Sequence, residues 1–112
     1  MKFNRIDDQI VISDKALTVG KELTANTVDA AFEKHVPVIE QNGDTVTVKV
    51  GTVEHPSMPE HYIEWILLET EMGFQIHYLK PGMKPEAAFK VNEKVVAAYE
   101  YCNLHGLWKA NA

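Results

Sequence analysis

Near its C-terminus the chain reads AYEYCNLHGLW, and this stretch holds the only cysteine of the 112 residues. A lone cysteine has no disulfide partner within its own chain, so Cys102 is an inert buried thiol, a nucleophile or a metal ligand. His105 follows it three residues later. Such a pair is weak evidence by itself, because short spacings of this kind also arise by chance. The role of Cys102 therefore has to be judged from the positions of the other histidines.

Four of the five histidines lie beside turn or loop signals in the sequence. They are His35, His55, His61 and His105. Side chains carried on turns at the ends of strands can converge on one point above a rigid scaffold. His77 differs because it lies within the strand-like stretch FQIHYL, and we interpret it as a structural or surface histidine.

Four imidazoles and one thiolate exceed the four-ligand tetrahedron that zinc prefers. Five ligands of mixed softness suit iron instead, with a sixth position left open for chemistry. A cysteine–histidine protease would need only one of the histidines and would leave the others unexplained. Two further alternatives are a non-catalytic iron-binding electron-transfer protein and a structural zinc or ligand-binding module.

The composition excludes several classes of protein. There are 16 acidic and 11 basic residues, so the net charge is −5, the opposite of the balance typical of nucleic-acid binders. No apolar run approaches membrane-spanning length, and the first residues, MKFNRIDDQIV, lack the apolar region of a signal peptide. We therefore expect a cytoplasmic protein that binds neither nucleic acid nor membrane and keeps its cysteine reduced.

The elements that must position these side chains are short strands separated by turns. Val46, Val48 and Val50 alternate with polar residues, which is the period of a half-buried strand, and the preceding Asn42-Gly43 pair is a hairpin signal. Further strands are expected at 8–13, 61–70, 73–80, 87–91 and 94–102. The segment 24–35 holds either a helical turn after Asn26 or Thr27, or a loop. This pattern predicts an all-β protein, an antiparallel sandwich or small barrel.

The stretches EKHVPVIE, HPSMPEHYIEWI, LKPG and EYCNLHGLWK together resemble the iron domain of the desulfoferrodoxin/neelaredoxin family, the superoxide reductases. The resemblance implies an immunoglobulin-like β-sandwich that carries a mononuclear non-haem iron on its loops. It also implies a ligand set with one axial thiolate, Cys102, and four equatorial histidines, His35, His55, His61 and His105. Many relatives have methionine where this chain has Ser57, but the spacing from His55 to His61 is kept.

Desulfoferrodoxins proper also carry an N-terminal iron site with four cysteines, which a chain with one cysteine cannot form. We therefore interpret residues 1–24 as a short N-terminal segment without a metal site, and 25–112 as the iron-binding superoxide reductase domain. The backbone N–H groups of Asn103 and Leu104 are expected to donate hydrogen bonds to the sulfur of Cys102. Four residues are assigned to packing and loop shape: Pro37, Trp65, Tyr101 and Trp108.

The resemblance further implies an enzyme that detoxifies superoxide, reducing it by one electron to hydrogen peroxide at Fe(II). Lys34 would attract the anion and help to deliver a proton, and Glu33 would be the sixth ligand of the oxidised iron. Rubredoxin or a similar one-electron donor would resupply the electron. Relatives form dimers or tetramers, so a homo-oligomer is expected. The alternative is a non-catalytic iron-binding electron-transfer protein.

Overall fold

The computed structural model describes residues 1–29 and 34–112, and these residues form ten strands and no helix. The strands are β1 (Lys2–Ile6), β2 (Gln9–Ser13), β3 (Lys21–Glu22), β4 (Pro37–Asn42), β5 (Thr45–Val50), β6 (Ile63–Thr70), β7 (Gly73–Tyr78), β8 (Glu86–Lys90), β9 (Val95–Cys102) and β10 (Gly106–Asn111). All pairings between them are antiparallel, which confirms the predicted fold class. Among the described residues, no helix is long and apolar enough to cross a membrane.

Two of the sheets face each other as a sandwich. One has the order β10-β9-β6-β7 and the other the order β4-β5-β8. The alternation in β5 directs Val46, Val48 and Val50 into the space between the sheets, where they are buried with Ile66 and Phe89. Burial of each such side chain stabilises the fold by about 1.5–3 kcal/mol. This core therefore holds the strand ends, and the loops that leave them, in fixed relative positions.

The N-terminal strands form a third sheet, in the order β2-β1-β3, on the outer face of the larger sheet. Phe3 is the central contact, with its ring centroid 5.9 Å from that of Trp65 and 4.8 Å from that of Tyr99. Met1, Ile10 and Ile12 pack against the same cluster. Residues 1–22 thus add an ordered apolar layer to the sandwich, whereas the domain boundary after residue 24 stays a prediction.

The strands expected from the sequence are all present, and their ends differ from the predicted ends by at most two residues. The sequence patterns did not identify β1, β3, β4 and β10. Residues 24–29 and 34–35 contain no helical turn, and residues 30–33, where a turn begun after Asn26 or Thr27 would continue, lie outside the described residues. Asn26 lies beside β10, donating its N–H to the Leu107 carbonyl at 2.9 Å and accepting from the Lys109 N–H at 2.9 Å. This edge pairing fixes the chain shortly before it reaches the site.

Candidate metal centre

Four histidine side chains meet at one end of the sandwich. His35 lies two residues before β4, His55 and His61 lie in the connection from β5 to β6, and His105 lies in the turn from β9 to β10. The centroid distances between neighbouring rings are 4.7 Å for His35–His55, 4.7 Å for His55–His61, 5.2 Å for His61–His105 and 4.9 Å for His105–His35. The rings therefore form a closed cycle in which each contacts two neighbours, and we call these four residues the histidine cycle.

Cys102, the last residue of β9, lies against this cycle and is fully buried. Its Sγ is 3.7 Å from Nε2 of His55 and 3.8 Å from Nδ1 of His105. The potential ligand atoms of His35, His61, Cys102 and His105 all lie within 4.8 Å of one another. Nε2 of His55 is also 3.1 Å from Nε2 of His35. The structure thus brings together the four histidines and the cysteine that the sequence suggested as metal ligands.

The donor chemistry of this cluster fits a mononuclear iron. In His55, Nδ1 lies 2.7 Å from the carbonyl oxygen of Pro56. A proton on Nδ1 would satisfy that contact and leave the lone pair of Nε2 directed toward the other potential metal-ligand atoms. Imidazole nitrogen and thiolate sulfur both bind first-row transition metals, and five such donors exceed the set that a structural zinc requires.

Asn103 ties together the two loops that carry Cys102 and His61. Its Oδ1 accepts from the Tyr62 N–H at 3.0 Å, and its Nδ2 donates to the Glu60 carbonyl at 3.0 Å. The backbone N–H of Asn103 donates to the Tyr62 carbonyl at 3.2 Å. The expectation that the N–H groups of Asn103 and Leu104 bond to the Cys102 sulfur stays a prediction. Asn103 holds the backbone on both sides of His61.

Two carboxyl groups near the site have no recognisable signal in the sequence. Asp29 Oδ1 accepts hydrogen bonds from the backbone N–H groups of His35, at 2.6 Å, and Val36, at 2.9 Å. Glu100 is fully buried in β9, and neither of its carboxyl oxygens has a hydrogen-bond partner among the described residues. Burial, and secondarily the charge of Asp29, holds the pKa of Glu100 well above its usual value. The neutral form of Glu100 is therefore favoured.

The remaining residues that the sequence analysis singled out differ in their exposure and in whether the structure describes them. Lys34 is half-buried beside His35, and His105 is the exposed member of the histidine cycle. Glu33 lies outside the described residues, so its assignment stays a prediction. His77 is exposed on β7, and its ring packs against Phe89 at a centroid distance of 4.4 Å.

Ser57 fastens the loop between His55 and His61 to the loop before β8. Its hydroxyl donates to the Met83 carbonyl at 2.7 Å and accepts from the Gly82 N–H at 2.9 Å. These hydrogen bonds restrain the loop that carries two of the histidines.

We expect Ser57→Ala to lower the free energy of unfolding by about 1 kcal/mol, the value of a typical hydrogen bond. The metal-loaded protein should also lose its metal to a chelator faster than the unaltered protein. The matched control is Ser13→Ala, since the Ser13 hydroxyl donates to the Lys15 carbonyl at 2.6 Å in the N-terminal sheet. Equal rates of metal loss in the two variants would contradict the restraining role of Ser57.

The chain is similar in sequence to several known proteins. Residues 27–111 match the family model described as Desulfoferrodoxin. A desulfoferrodoxin of Clostridium acetobutylicum is 52% identical in an alignment 99 residues long, which covers 85% of this chain and 78% of that protein. A superoxide reductase of Pyrococcus abyssi is 37% identical, covering 77% of this chain and 91% of its own length.

Solved structures show the same likeness. The superoxide reductase from Treponema pallidum superposes with a TM-score of 0.86 at 37% identity, covering 98% of this chain and 97% of that one. A one-iron superoxide reductase from Giardia intestinalis gives a TM-score of 0.63 at 36% identity and covers 72% of this chain. The likeness to the Treponema protein therefore extends over the N-terminal sheet.

Proposed function

The chain belongs to the desulfoferrodoxin family and is a superoxide reductase, and we propose that it reduces superoxide to hydrogen peroxide at a single iron. The iron would be held by His35, His55, His61, His105 and Cys102. The observation that carries this proposal is the closed cycle of four imidazoles with a buried thiol against it. Each turnover consumes one superoxide, one electron and two protons and yields one hydrogen peroxide.

The iron, when bound, would supply the electron and a coordination position for the substrate. Lys34 contributes positive charge beside His35, which a small anion needs in a protein of net charge −5. Lys34 would also help to deliver a proton to the departing product. Glu33 would serve as a sixth ligand in the oxidised state, since a hard carboxylate prefers ferric to ferrous iron.

The electron has to be resupplied from outside the chain, and rubredoxin or a similar one-electron carrier is the proposed donor. The predicted homo-oligomer, a dimer or a tetramer, is tested by light scattering on the purified protein. Neither assignment affects the composition of the metal centre, because all five proposed ligands belong to one chain.

The first experiment is metal analysis combined with the visible spectrum and a superoxide assay. We expect about one iron per chain, because the donor set forms a single cluster, and a broad visible band that appears on oxidation and vanishes on reduction. Superoxide should disappear with peroxide formed in a one-to-one ratio and without oxygen release. A zinc-containing protein without the band would overturn the iron centre, and an iron protein with no superoxide consumption would favour the electron-transfer alternative.

Replacing Lys34 with methionine should slow the reaction with superoxide without altering the iron. We expect a second-order rate constant about tenfold lower at low ionic strength, and a weaker dependence on salt, because local positive charge steers anions into a site. Pulse radiolysis at several salt concentrations measures both quantities.

The control is Lys90→Met, because Lys90 is exposed and its Nζ lies 3.2 Å from Asp44 Oδ1 in the hairpin region. It should leave the rate and its salt dependence unchanged. If the two lysine variants behave alike, Lys34 has no special steering role.

A further inference from the structure

Trp108 in β10 contacts the histidine cycle at two points. Its indole ring is stacked on the imidazole of His35, with a centroid distance of 4.7 Å and an interplanar angle of 14°. Its Nε1–H donates a hydrogen bond to the backbone carbonyl of His105 at 3.1 Å. His35 and His105 are neighbours in the cycle, so a single side chain contacts the ring of one histidine and holds the backbone of the next.

The indole is itself firmly held. Trp108 is 8% exposed, pairs with Glu100 across β9 and β10, and forms a parallel bridge with Asn26 on its other side. The backbone of His35 is fixed independently through Asp29. The stacked indole adds a contact along the whole face of the His35 ring, and a flat, rigid partner of this kind restricts the orientation of that ring. Partners outside the ligand set orient metal ligands in this way and tune the metal they hold.

We propose that Trp108 is a positioning residue that fixes the 72° angle between the rings of His35 and His105, and thereby the geometry of the metal centre. This inference rests on the proposed function to the extent that the histidine cycle binds a metal. The hydrogen bond sets the turn that carries His105, and the stacking sets the ring of His35. The two contacts can be removed one at a time.

Three variants separate these contacts from ordinary core packing. Trp108→Phe keeps an aromatic ring for stacking and removes the N–H donor, whereas Trp108→Leu removes both. Trp65→Phe is the matched control, since Trp65 is 5% exposed and stacks on Phe3 and Tyr101 in the outer core. The three variants and the unaltered protein are loaded with Co²⁺, which reports imidazole and thiolate ligation through its ligand-field and charge-transfer bands. The rate of Co²⁺ loss to a chelator and the urea midpoint of the metal-free chain are measured in parallel.

We expect Co²⁺ to leave Trp108→Phe several-fold faster and Trp108→Leu about 10- to 100-fold faster than the unaltered protein, the range typical of lost outer partners. The bands should shift in both. Trp65→Phe should lower the urea midpoint while leaving the bands and the release rate within about twofold, because packing changes act on stability. If Trp108→Phe keeps the unaltered spectrum and release rate, or if Trp65→Phe changes them as much, the inference is overturned.

Trp108→Phe keeps the test informative even if Trp108→Leu does not fold, because it retains most of the buried volume. The two hypotheses also fail separately. If the unaltered protein consumes no superoxide but its Co²⁺ spectrum still depends on Trp108, the proposed activity is wrong and the positioning role stands. If superoxide is reduced while all variants hold Co²⁺ alike, the positioning role is wrong and the activity stands.

Discussion

Replacing Cys102 with serine is expected to abolish the visible band of the oxidised protein and to slow superoxide consumption more than about 100-fold. Losing only a residue that hydrogen-bonds to a metal ligand already lowers metal affinity or activity about 10- to 100-fold, and losing the ligand itself should cost more. The band requires charge transfer from sulfur to iron, which an oxygen in the same place does not supply. Cys102 is fully buried at the end of β9, and serine is close to it in size. The four histidines should therefore still retain some metal. Absorption spectroscopy, metal analysis and the superoxide assay on one preparation measure the effect.

The control for this experiment is His77→Gln, which alters a histidine whose ring packs against Phe89 at 4.4 Å on β7. It should keep the iron, the band and the activity. A Cys102→Ser protein that retains the band at full intensity would show that the sulfur is not a ligand, and the thiol would then be one of the small buried hydrophobes common in protein cores.

Replacing Gly51 with alanine is expected to cost about 2–5 kcal/mol of stability, combining left-handed backbone strain with overpacking. Gly51 has φ +82°, and a Cβ there would press on the carbonyl oxygen of Lys34 and lie 2.8 Å from the carbonyl oxygen of Val53. It would also lie 2.9 Å from Cβ of Lys34. The chain that leads into His35 therefore packs directly on this glycine, and displacing it should lower metal occupancy as well as stability.

Gly43→Ala is the matched control, because Gly43 has φ +64° and an added Cβ meets nothing within 4 Å. This variant carries the backbone strain alone, so we expect it to lose about 1–2 kcal/mol of stability and to keep full metal occupancy. Urea unfolding of the metal-free proteins and metal analysis of the loaded ones compare the two variants. Equal losses in both would mean that the approach of Lys34 to Gly51 does not constrain the site.

Local patterns predicted the strands whose side chains alternate or form dense apolar runs, such as β5 and β6. They did not predict β1, β4 or β10, in which polar residues interrupt the apolar ones and pairing partners supply the missing stability. The third layer is the clearest example. Phe3 has no strand signal in its own neighbourhood, but it is buried because Trp65 and Tyr99 present an apolar surface to it. Such a contact depends on residues far away in the sequence.

The choice of candidate ligands needed only residue types and spacing, because imidazoles on turns and a single thiol have few other common uses together. The residues that hold those ligands in place could not be predicted in this way. The side chain of Asn103 and the indole of Trp108 each contact a loop or a ring that lies far away in the sequence, and the carboxylate of Asp29 bonds the backbone of His35 six residues later. Nothing in their sequence context distinguishes them from ordinary surface or core residues.

The sequence by itself determined the all-β class, the identity of the five candidate ligands and the family, since each depends on local periodicity or on motifs read in order. Only the tertiary structure decided how the histidines follow one another around the cycle, where the Asn103 N–H is directed and which tryptophan contacts the centre. The physical reason is that hydrogen bonds and ring stacking act over 3 to 5 Å in space. Trp108 reaches His35, and Asn103 reaches the backbone beside His61, only after the strands have paired.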